Sequence, residues 1–372
     1  MGSVKHICHV TTVHARYDTR VFVKQCASLA KAGFKVTLVV ADGKGDEVCQ
    51  GVEIRDIGKP TGRFARITKM AVLAKNTALS LKADIYQLHD PELTPYFFIP
   101  ALRGRKVVFD IHEDLQGQIF RKYWLPKWAA YLLLPFVKVW EWLCARLFEA
   151  LISVTPKLVN RYLTYTENVT EVRNYPLASE FSSADLSDYC QRPKSIFYVG
   201  GITLDRGIKT MLDALQRLPD VRLNLAGRFS NGELEGFCQS HPSWAQVDYH
   251  GWCSRDDVAA LAQKSRIGIV VLSATGDYED ALPVKMFEYM ASGLPVICSD
   301  FPLWKSIVDE AQCGFYIAPE NAKALADKIQ TLMSEEDTAK SMGDNGRRAV
   351  SEKFEWHVEF NELKALYERL LN

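Results

Sequence analysis

The chain has 372 residues, too many for one ordinary hydrophobic core, so two domains are expected. A hydrophobic content of 48% excludes wholesale disorder, and a formal net charge of +0 argues against general nucleic-acid binding. The zero conceals an asymmetry that suits a first half facing an anionic surface: residues 1–180 carry 25 Lys/Arg against 17 Asp/Glu, and residues 181–372 carry 20 against 28.

Val4 to Val10 predicts a first strand, and no signal-peptide apolar region precedes it. The loop that follows holds His14, Arg16, Asp18 and Arg20, all able to hydrogen-bond. Val21, Phe22, Cys26, Leu29 and Ala30 then take helical spacing up to Gly33, and Phe34 to Val40 is a second strand. Repetition of this unit predicts a parallel, doubly wound sheet. No G-x-G-x-x-G follows the first strand, which argues against a dehydrogenase. Ala83–His89 and Arg105–His112 predict two more strands, each ending in a His beside an acid (Asp90, Glu113) at the carboxyl edge where α/β sites form.

Residues 121–146 combine four of the eight Trp, five Lys/Arg and one acid. The uncharged run Trp128–Val137 is too short to span a bilayer, and the aromatic and basic residues around it suit an interfacial helix, kinked at Pro135. A buried helix pair is the plain alternative. Leu151–Thr155 and Glu171–Pro176 predict further strands. The Ser/Asp-rich stretch 177–193 marks the domain boundary. Nine Cys are scattered without C-x-x-C or metal-like spacing and read as reduced thiols, so a cytoplasmic protein is expected.

The second half opens with the strand Ser195–Val199, a Gly200-Gly201 turn, and Arg206 before a helix from about Ile208. Glycines let a ligand approach the backbone closely, and an Arg makes a forked contact to phosphate. Val221–Ala226, Val247–Trp252 and Ile267–Leu272 are further strands. Arg228 follows the first of them, and His250 or Trp252 could meet a base at the end of the second. Asp280 and Glu288 flank a turn and a short helix that starts near Pro283-Val284-Lys285 and stops at Gly293, before a buried strand near Leu294–Ile297. A helix N-terminus at a strand's carboxyl edge is an anion site, and carboxylates beside it suit a ligand with both phosphate and hydroxyls. Residues 321–333 predict an amphipathic helix, and about 355–371 a final one.

Asp280-x7-Glu288 followed by EYMASGLPVI resembles the paired-acid signature of retaining family 4 glycosyltransferases of the GT-B fold. That family's usual pattern has Glu at both ends and a Gly-Phe-Gly turn; here the first acid is Asp and the turn is Ala281-Leu282-Pro283. The resemblance implies two Rossmann-like parallel-sheet domains facing a cleft: an acceptor-side domain 1–176 with 121–146 facing the membrane, a nucleotide-sugar domain 177–354, and a helix 355–372 crossing back to the first. It implies that Gly200, Gly201 and Arg206 form the pyrophosphate turn. The family's first basic position is here Gly201, so one cation is missing, and Lys285 or Arg228 is expected to compensate, with Val284 at the helix start.

Under the same resemblance Asp280 orients sugar hydroxyls, Glu288 holds ribose hydroxyls or phosphate-side donors, and His89 contacts the transferred sugar. His112 lies nearby, and the loop of His14, Arg16, Asp18 and Arg20 closes on donor and acceptor. The expected reaction is metal-independent transfer, with retention and no cofactor, from a UDP- or GDP-sugar to a hydroxyl. The expected acceptor is a lipid-linked saccharide in bacterial surface-polysaccharide assembly, at the inner face of the cytoplasmic membrane. Two other classes stay open: a nucleotide-sugar epimerase of the same fold, and a catalytically decayed membrane-associated scaffold.

Overall fold

The computed structural model describes residues 4–112, 114–121, 125–181, 189–274 and 278–372. Glu113, and 122–124 of the aromatic segment, lie outside the described residues. The chain forms two compact units, residues 1–174 with 357–372 and residues 175–356.

Unit 1 is built on an eight-stranded sheet. Its strands are β1 (His6–Val10), β2 (Lys35–Val40), β3 (Glu47–Cys49), β4 (Val52–Asp56), β5 (Ile85–Leu88), β6 (Lys106–Ile111), β7 (Ala150–Ser153) and β8 (Val169–Glu171). They lie in the order β3-β4-β2-β1-β5-β6-β7-β8, parallel except for the β3–β4 hairpin. β1, β5 and β7 are buried along their whole length, as near-continuous apolar runs covered on both faces should be. The order reverses between β1 and β5, so the loops after these strands open into one crevice.

Three elements depart from the sequence reading. The β3–β4 hairpin was not signalled: its turn is Gln50-Gly51, both at positive φ (50° and 80°), in place of the usual Asn-Gly. The segment after Asp18 opens with the wider π-type turns of Thr19–Cys26 before the α-helix Ala27–Lys31 (α1). That winding carries Arg20, Lys24 and Gln25 into the interior along with Val21 and Phe22. Glu171–Pro176 is not a strand; pairing ends at Glu171, ahead of Asn174 and Pro176.

Two helices follow β6: α2 (Leu115–Arg121) and α3 (Lys127–Leu147). α3 continues through Pro135. It buries Ala130, Glu141, Cys144 and Ala145 and exposes Trp128, Tyr131, Leu132, Phe136, Val139 and Trp142. Among the described residues no helix is long and apolar enough to cross a membrane. From His357 on, the final helix Trp356–Leu371 belongs to unit 1. Its Glu359 accepts from the Arg173 N–H at 2.7 Å.

Unit 2 is a six-stranded, all-parallel sheet: β9 (Ser195–Val199), β10 (Arg222–Ala226), β11 (Val247–Gly251), β12 (Ile267–Val270), β13 (Val296–Ser299) and β14 (Gly314–Ile317), in the order β11-β10-β9-β12-β13-β14. Here the reversal lies between β9 and β12. Three helices matter for the site: α4 (Ile208–Leu215), α5 (Arg255–Gln263) and α6 (Val284–Ala291). Met286, Phe287, Tyr289, Met290 and Ala291 sink α6 into the core, and the Tyr289 hydroxyl accepts from the Val199 N–H at 2.9 Å, tying α6 to the end of β9. Trp304, fully buried, donates to the Ala281 carbonyl at 2.6 Å and holds the turn that leads into α6.

β9 and β10 converge so tightly past their ends that a Cβ on Gly227 would stand 1.8 Å from the Gly200 carbonyl oxygen, at a φ of +142° closed to other residues. Gly227→Ala should therefore destabilise unit 2 by at least about 1–3 kcal/mol. Guanidinium unfolding followed by fluorescence checks this; an unchanged midpoint would contradict the close approach.

Candidate functional site

The crevice of unit 1 opens into a cavity of about 530 Å³. Its lining is part polar, with His14, His89, Asp90, Asp110 and His112, and part apolar, with Phe109, Ile111, Leu115, Ile119, Val137 and Trp140 of β6, α2 and α3. Arg63 and Arg66 stand at its edge. Arg66 pairs with Glu92 at 2.8 Å, whereas exposed Arg63 has no ion-pair partner among the described residues.

The polar wall is organised by a carboxylate with no solvent exposure. Asp110 accepts from Arg20 at 2.8 and 3.3 Å and from the Gln25 amide at 2.6 Å; that amide's own oxygen accepts from Gln87 at 2.6 Å. Burial, the largest influence, opposes the charge, but Arg20 and the imidazoles of His112 and His89 hold Asp110 well below the usual carboxylate range. The ionised Asp110 lies 3.4 Å from His89 Nδ1. His89 Nε2 in turn meets His9 Nδ1 at 2.9 Å, with the two rings stacked. A proton on His89 Nδ1 toward the carboxylate makes Nε2 an acceptor and His9 Nδ1–H the donor, leaving His9 Nε2 without a partner among the described residues. Burial keeps His9 neutral, its pKa far down.

His112 stacks on His89 at 5.6 Å and reaches Asp110 at 3.7 Å, its pKa pushed down to about 3, chiefly by burial. His14 is the opposite case. Burial opposes its charge, yet a hydrogen bond to Asp18 and the charges of Asp90 and Asp18 raise its pKa. Asp18 also caps the following turns by accepting from the Arg20 and Val21 N–H groups, and its pKa falls to about 2, against burial, chiefly through His14. Asp90 gathers the hydroxyls of Thr11 and Thr12 and the Thr12 N–H. His14 is thus the pocket imidazole whose protonation is favoured.

Of the residues expected on this side, His14, His89 and His112 meet in one wall. Arg16, Asp18 and Arg20 do not line the cavity. Arg16 is buried in a forked pair with Asp42 (2.7 and 2.8 Å) and a bond to Glu47 (2.7 Å), where it braces the hairpin. Ligand atoms of His89, Asp110 and His112 lie within 4.8 Å of one another, but Arg20 and Gln25 already occupy both Asp110 oxygens, so the trio presents a neutralised carboxylate to any cation.

In unit 2, Gly200 and Gly201 leave β9, and the turn Thr203–Gly207 enters α4. Were Gly201 to carry a Cβ, Arg206 Nη1 would lie 3.0 Å from it, so the guanidinium sits directly over this turn. Lys285, second residue of α6, brings its Nζ 4.0 Å from the centroid of the Tyr198 ring, next to Gly200. Tyr198 donates to the Gly201 carbonyl at 2.9 Å, and Tyr278 donates to Asp205 at 2.6 Å. Pro283 is the N-cap of α6 and supplies no side-chain cap, so the N–H groups of its first turn from Val284 on have no capping side chain. Arg228 is exposed beyond β10, its carbonyl accepting from Ile202 N–H at 2.9 Å. Between the two candidate cations, Lys285 is the one at the turn.

Glu288 is buried and held by Arg255 of α5 at 2.6 Å; Arg255 also grips Glu180 at 2.5 and 3.0 Å. Asp280 is exposed in the short turn Tyr278–Asp280. His250 and Trp252 are exposed, His250 within 3.2 Å of the Asn224 amide oxygen. Sequence reasoning did not single out His9, Asp110, Tyr198, Tyr278 or Arg255 as site residues. Only position could have drawn attention to His9, Asp110 and Tyr198, near carboxyl strand edges, and to Arg255, in a capped helix start; Tyr278, in the turn before α6, carried no such signal.

The model of the glycosyl transferases group 1 family matches residues 190–349, most of unit 2. Among curated proteins, spore coat protein SA of Bacillus subtilis is 25% identical over 188 residues, 47% of this chain and 49% of that protein. A phosphatidyl-myo-inositol mannosyltransferase of Mycobacterium tuberculosis is 24% identical over 196 residues, 50% of each. The chain spans about half the length of the curated relatives it matches. Among solved structures, sucrose-phosphate synthase from Thermosynechococcus elongatus superposes with a TM-score of 0.77 at 18% identity, over 98% of this chain and 99% of that one. HepE of Anabaena, in complex with UDP-glucose, gives 0.73 at 14%, over 98% and 99%. The fold is therefore GT-B: two Rossmann-like, parallel-sheet units.

Asp110→Asn would leave the Arg20 guanidinium buried without its anion and should cost about 3–5 kcal/mol near neutral pH. The folded pKa of Asp110 lies below its ordinary 3.8, so its stabilisation is present above 3.8 and fades as pH falls through the folded value. The gap between wild type and variant should therefore narrow in acid. Urea titrations at neutral and acidic pH measure it; a gap independent of pH would contradict an ionised Asp110.

Proposed function

We propose that the protein transfers a glycosyl group, with retention and without a metal, from a UDP- or GDP-sugar to a hydroxyl of a lipid-linked saccharide. The observation that carries this reading is the coincidence in unit 2 of the group 1 glycosyltransferase match with a cationic glycine turn at the sheet's switch point. Departure of a nucleoside diphosphate builds negative charge on its phosphate oxygens. Arg206, Lys285 and the uncapped start of α6 are fixed, partly desolvated donors aimed at that charge, the kind of preorganised stabilisation that accelerates such a step. Glu288, oriented by Arg255, is the carboxylate for ribose hydroxyls or the phosphate side, and Asp280 the one for sugar hydroxyls. HepE, which shares the fold, was captured with UDP-glucose, which supports a nucleotide-sugar donor.

The cavity of unit 1 takes the acceptor in this proposal. Its imidazole wall suits sugar hydroxyls, its apolar wall the start of a lipid, and Arg63 an anionic headgroup. His89 reaches the cavity wall with Nε2 bonded to His9 and Nδ1 facing Asp110 at 3.4 Å, so contact to a sugar falls to its ring edge and to His14 and His112. The exposed aromatic face of α3, edged by exposed Lys127, Lys138 and Arg146, rests on an anionic bilayer surface and delivers such a lipid. Retention, and a place in bacterial surface-polysaccharide assembly at the cytoplasmic face of the membrane, follow from the resemblance of the Asp280–Ser299 stretch.

Calorimetric titration with UDP, GDP and ADP tests the donor assignment. One nucleotide should bind, and Arg206→Ala should weaken it about tenfold or more. With donor sugar and a polyprenyl-diphosphate saccharide, Glu288→Gln should lower turnover by about two orders of magnitude, and proton NMR of the product should give the donor's anomeric configuration. Interconversion of donor sugars without acceptor would instead favour an epimerase. Separately, Trp128→Ser/Leu132→Ser/Phe136→Ser should abolish co-sedimentation with phosphatidylglycerol vesicles while leaving nucleotide binding intact. Equal sedimentation of wild type and variant would remove α3 as the docking face.

A further inference from the structure

Lys285 raises an electrostatic problem that the donor assignment alone does not solve. Its side chain is half-buried, yet its Nζ has no solvent exposure and no hydrogen-bond partner among the described residues. The nitrogen stands 2.8 Å from where a Cβ on Gly200 would be, so it fills the space that glycine leaves. Below it is the face of Tyr198 at 4.0 Å, a weak attraction for a cation.

The charged groups around it do not compensate it. Arg206, from the turn before α4, is a like charge. Glu288 lies three residues on in α6, but its Oε1 is taken by Arg255 at 2.6 Å. Asp205 is engaged by the Tyr278 hydroxyl at 2.6 Å, and the Tyr198 hydroxyl is turned to the Gly201 carbonyl. A buried amine in such surroundings gives up its proton rather than bear the charge. Burial first, and then Arg206, push Lys285 down to about 7, against a pull from Glu288.

We propose that Lys285 is a proton-coupled anion clamp: a diphosphate seating on the Gly200-Gly201 turn beside Arg206 draws one proton from solvent onto Nζ, completing the second cation of the site only when the anion is present. The balance is simple. The neutral amine, one solvent proton and the diphosphate give an ammonium–diphosphate pair, and release of the nucleotide returns the proton. A lysine can do this because burial moves its pKa; an arginine in its place would stay charged and repel Arg206 in the empty site. The proposal rests on the donor reading above and adds to it a pH dependence.

The test is calorimetric titration of the full chain with UDP and with GDP at about pH 8 in Tris and in HEPES, buffers of different ionisation enthalpy. At that pH the terminal phosphate, with a second pKa of about 6, is already ionised, so any proton taken up goes to the protein. Wild type should show different apparent enthalpies in the two buffers, equivalent to uptake of up to about one proton per nucleotide. Its affinity should approach a tenfold fall per pH unit as pH rises above about 7.5. Lys285→Arg should bind with no uptake and an affinity flat in pH, and Lys285→Met should bind more weakly with no uptake. Equal enthalpies in both buffers for a wild type that does bind, or uptake that persists in both variants, would overturn the clamp while leaving the donor site standing. Failure of the wild type to bind either nucleotide would overturn the donor reading and the clamp with it.

Discussion

A cation placed where water does not reach it is the constraint on which the second unit's site depends. Desolvating an ammonium costs several kcal/mol unless an anion or aligned dipoles repay it. Unit 2 keeps the obvious repayment away. Glu288, on the same helix as Lys285, is taken by Arg255, which reaches across from α5 and holds Glu180 with the same guanidinium. Gly200 then gives Nζ room beside the turn, and the Tyr289 bond to Val199 fixes how far α6 stands from β9. The residues nearest the turn therefore leave two basic groups converging on bare backbone, an arrangement stable only as far as one of them can shed its proton or meet an anion.

Unit 1 handles the reverse case. There the desolvated group is a carboxylate, and it is fully repaid: Arg20 and Gln25 cover both oxygens of Asp110, and imidazoles stack along the remaining side. The winding of Thr19–Cys26 makes this possible. Its turns point Arg20, Lys24 and Gln25 inward beside Val21 and Phe22. Lys24 accordingly finds the Asn174 side chain at 2.7 Å. One unit thus presents a rigid, neutralised polar wall, and the other an unfinished cationic turn.

Much of the scaffold was legible in the sequence because it depends on local signals. Apolar runs marked the central strands, Gly293 and Pro295 bounded α6, and Gly200-Gly201 with Arg206 marked the turn. The hairpin of β3 and β4 was not legible because Gln50 adopts a left-handed conformation that its residue type does not announce. The positions of His89 and His112 in one cavity wall, and of Lys285 beside the glycine turn, were legible because each lies in or next to the loop that shows it. Site chemistry was hidden where the decisive partner is distant in sequence. Arg255 reaches Glu180 and Glu288, 75 and 33 residues away, and His9 reaches His89, 80 residues away. Arg16 and Arg20 show the same limit from the other side: read beside His14 they look like ligand contacts, and only Asp42, Glu47 and Asp110 reveal them as braces.

The helix α3 turns this reasoning about partners around. Its single acid, Glu141, is buried against Gln116 at 2.5 Å with Arg161 3.7 Å away, and burial raises its pKa. Its large apolar residues, by contrast, stand in solvent, Phe136 at 73% and Trp128 at 67%. A helix stabilised by its own fold would be arranged the other way, with the acid outside and the aromatics inside. Trp140 shows how the two faces are kept apart: its indole donates to Thr94 at 2.9 Å while its ring lines the cavity. The inner face thus anchors the helix through these bonds and through Cys144 and Ala145 in the core, while on the outer face Tyr131 meets Phe120 of α2 edge-on at 5.0 Å. Pro135, exposed on the outer side, costs a backbone hydrogen bond that no core contact of its own repays. This exposed apolar face is the one that the proposed bilayer contact would use.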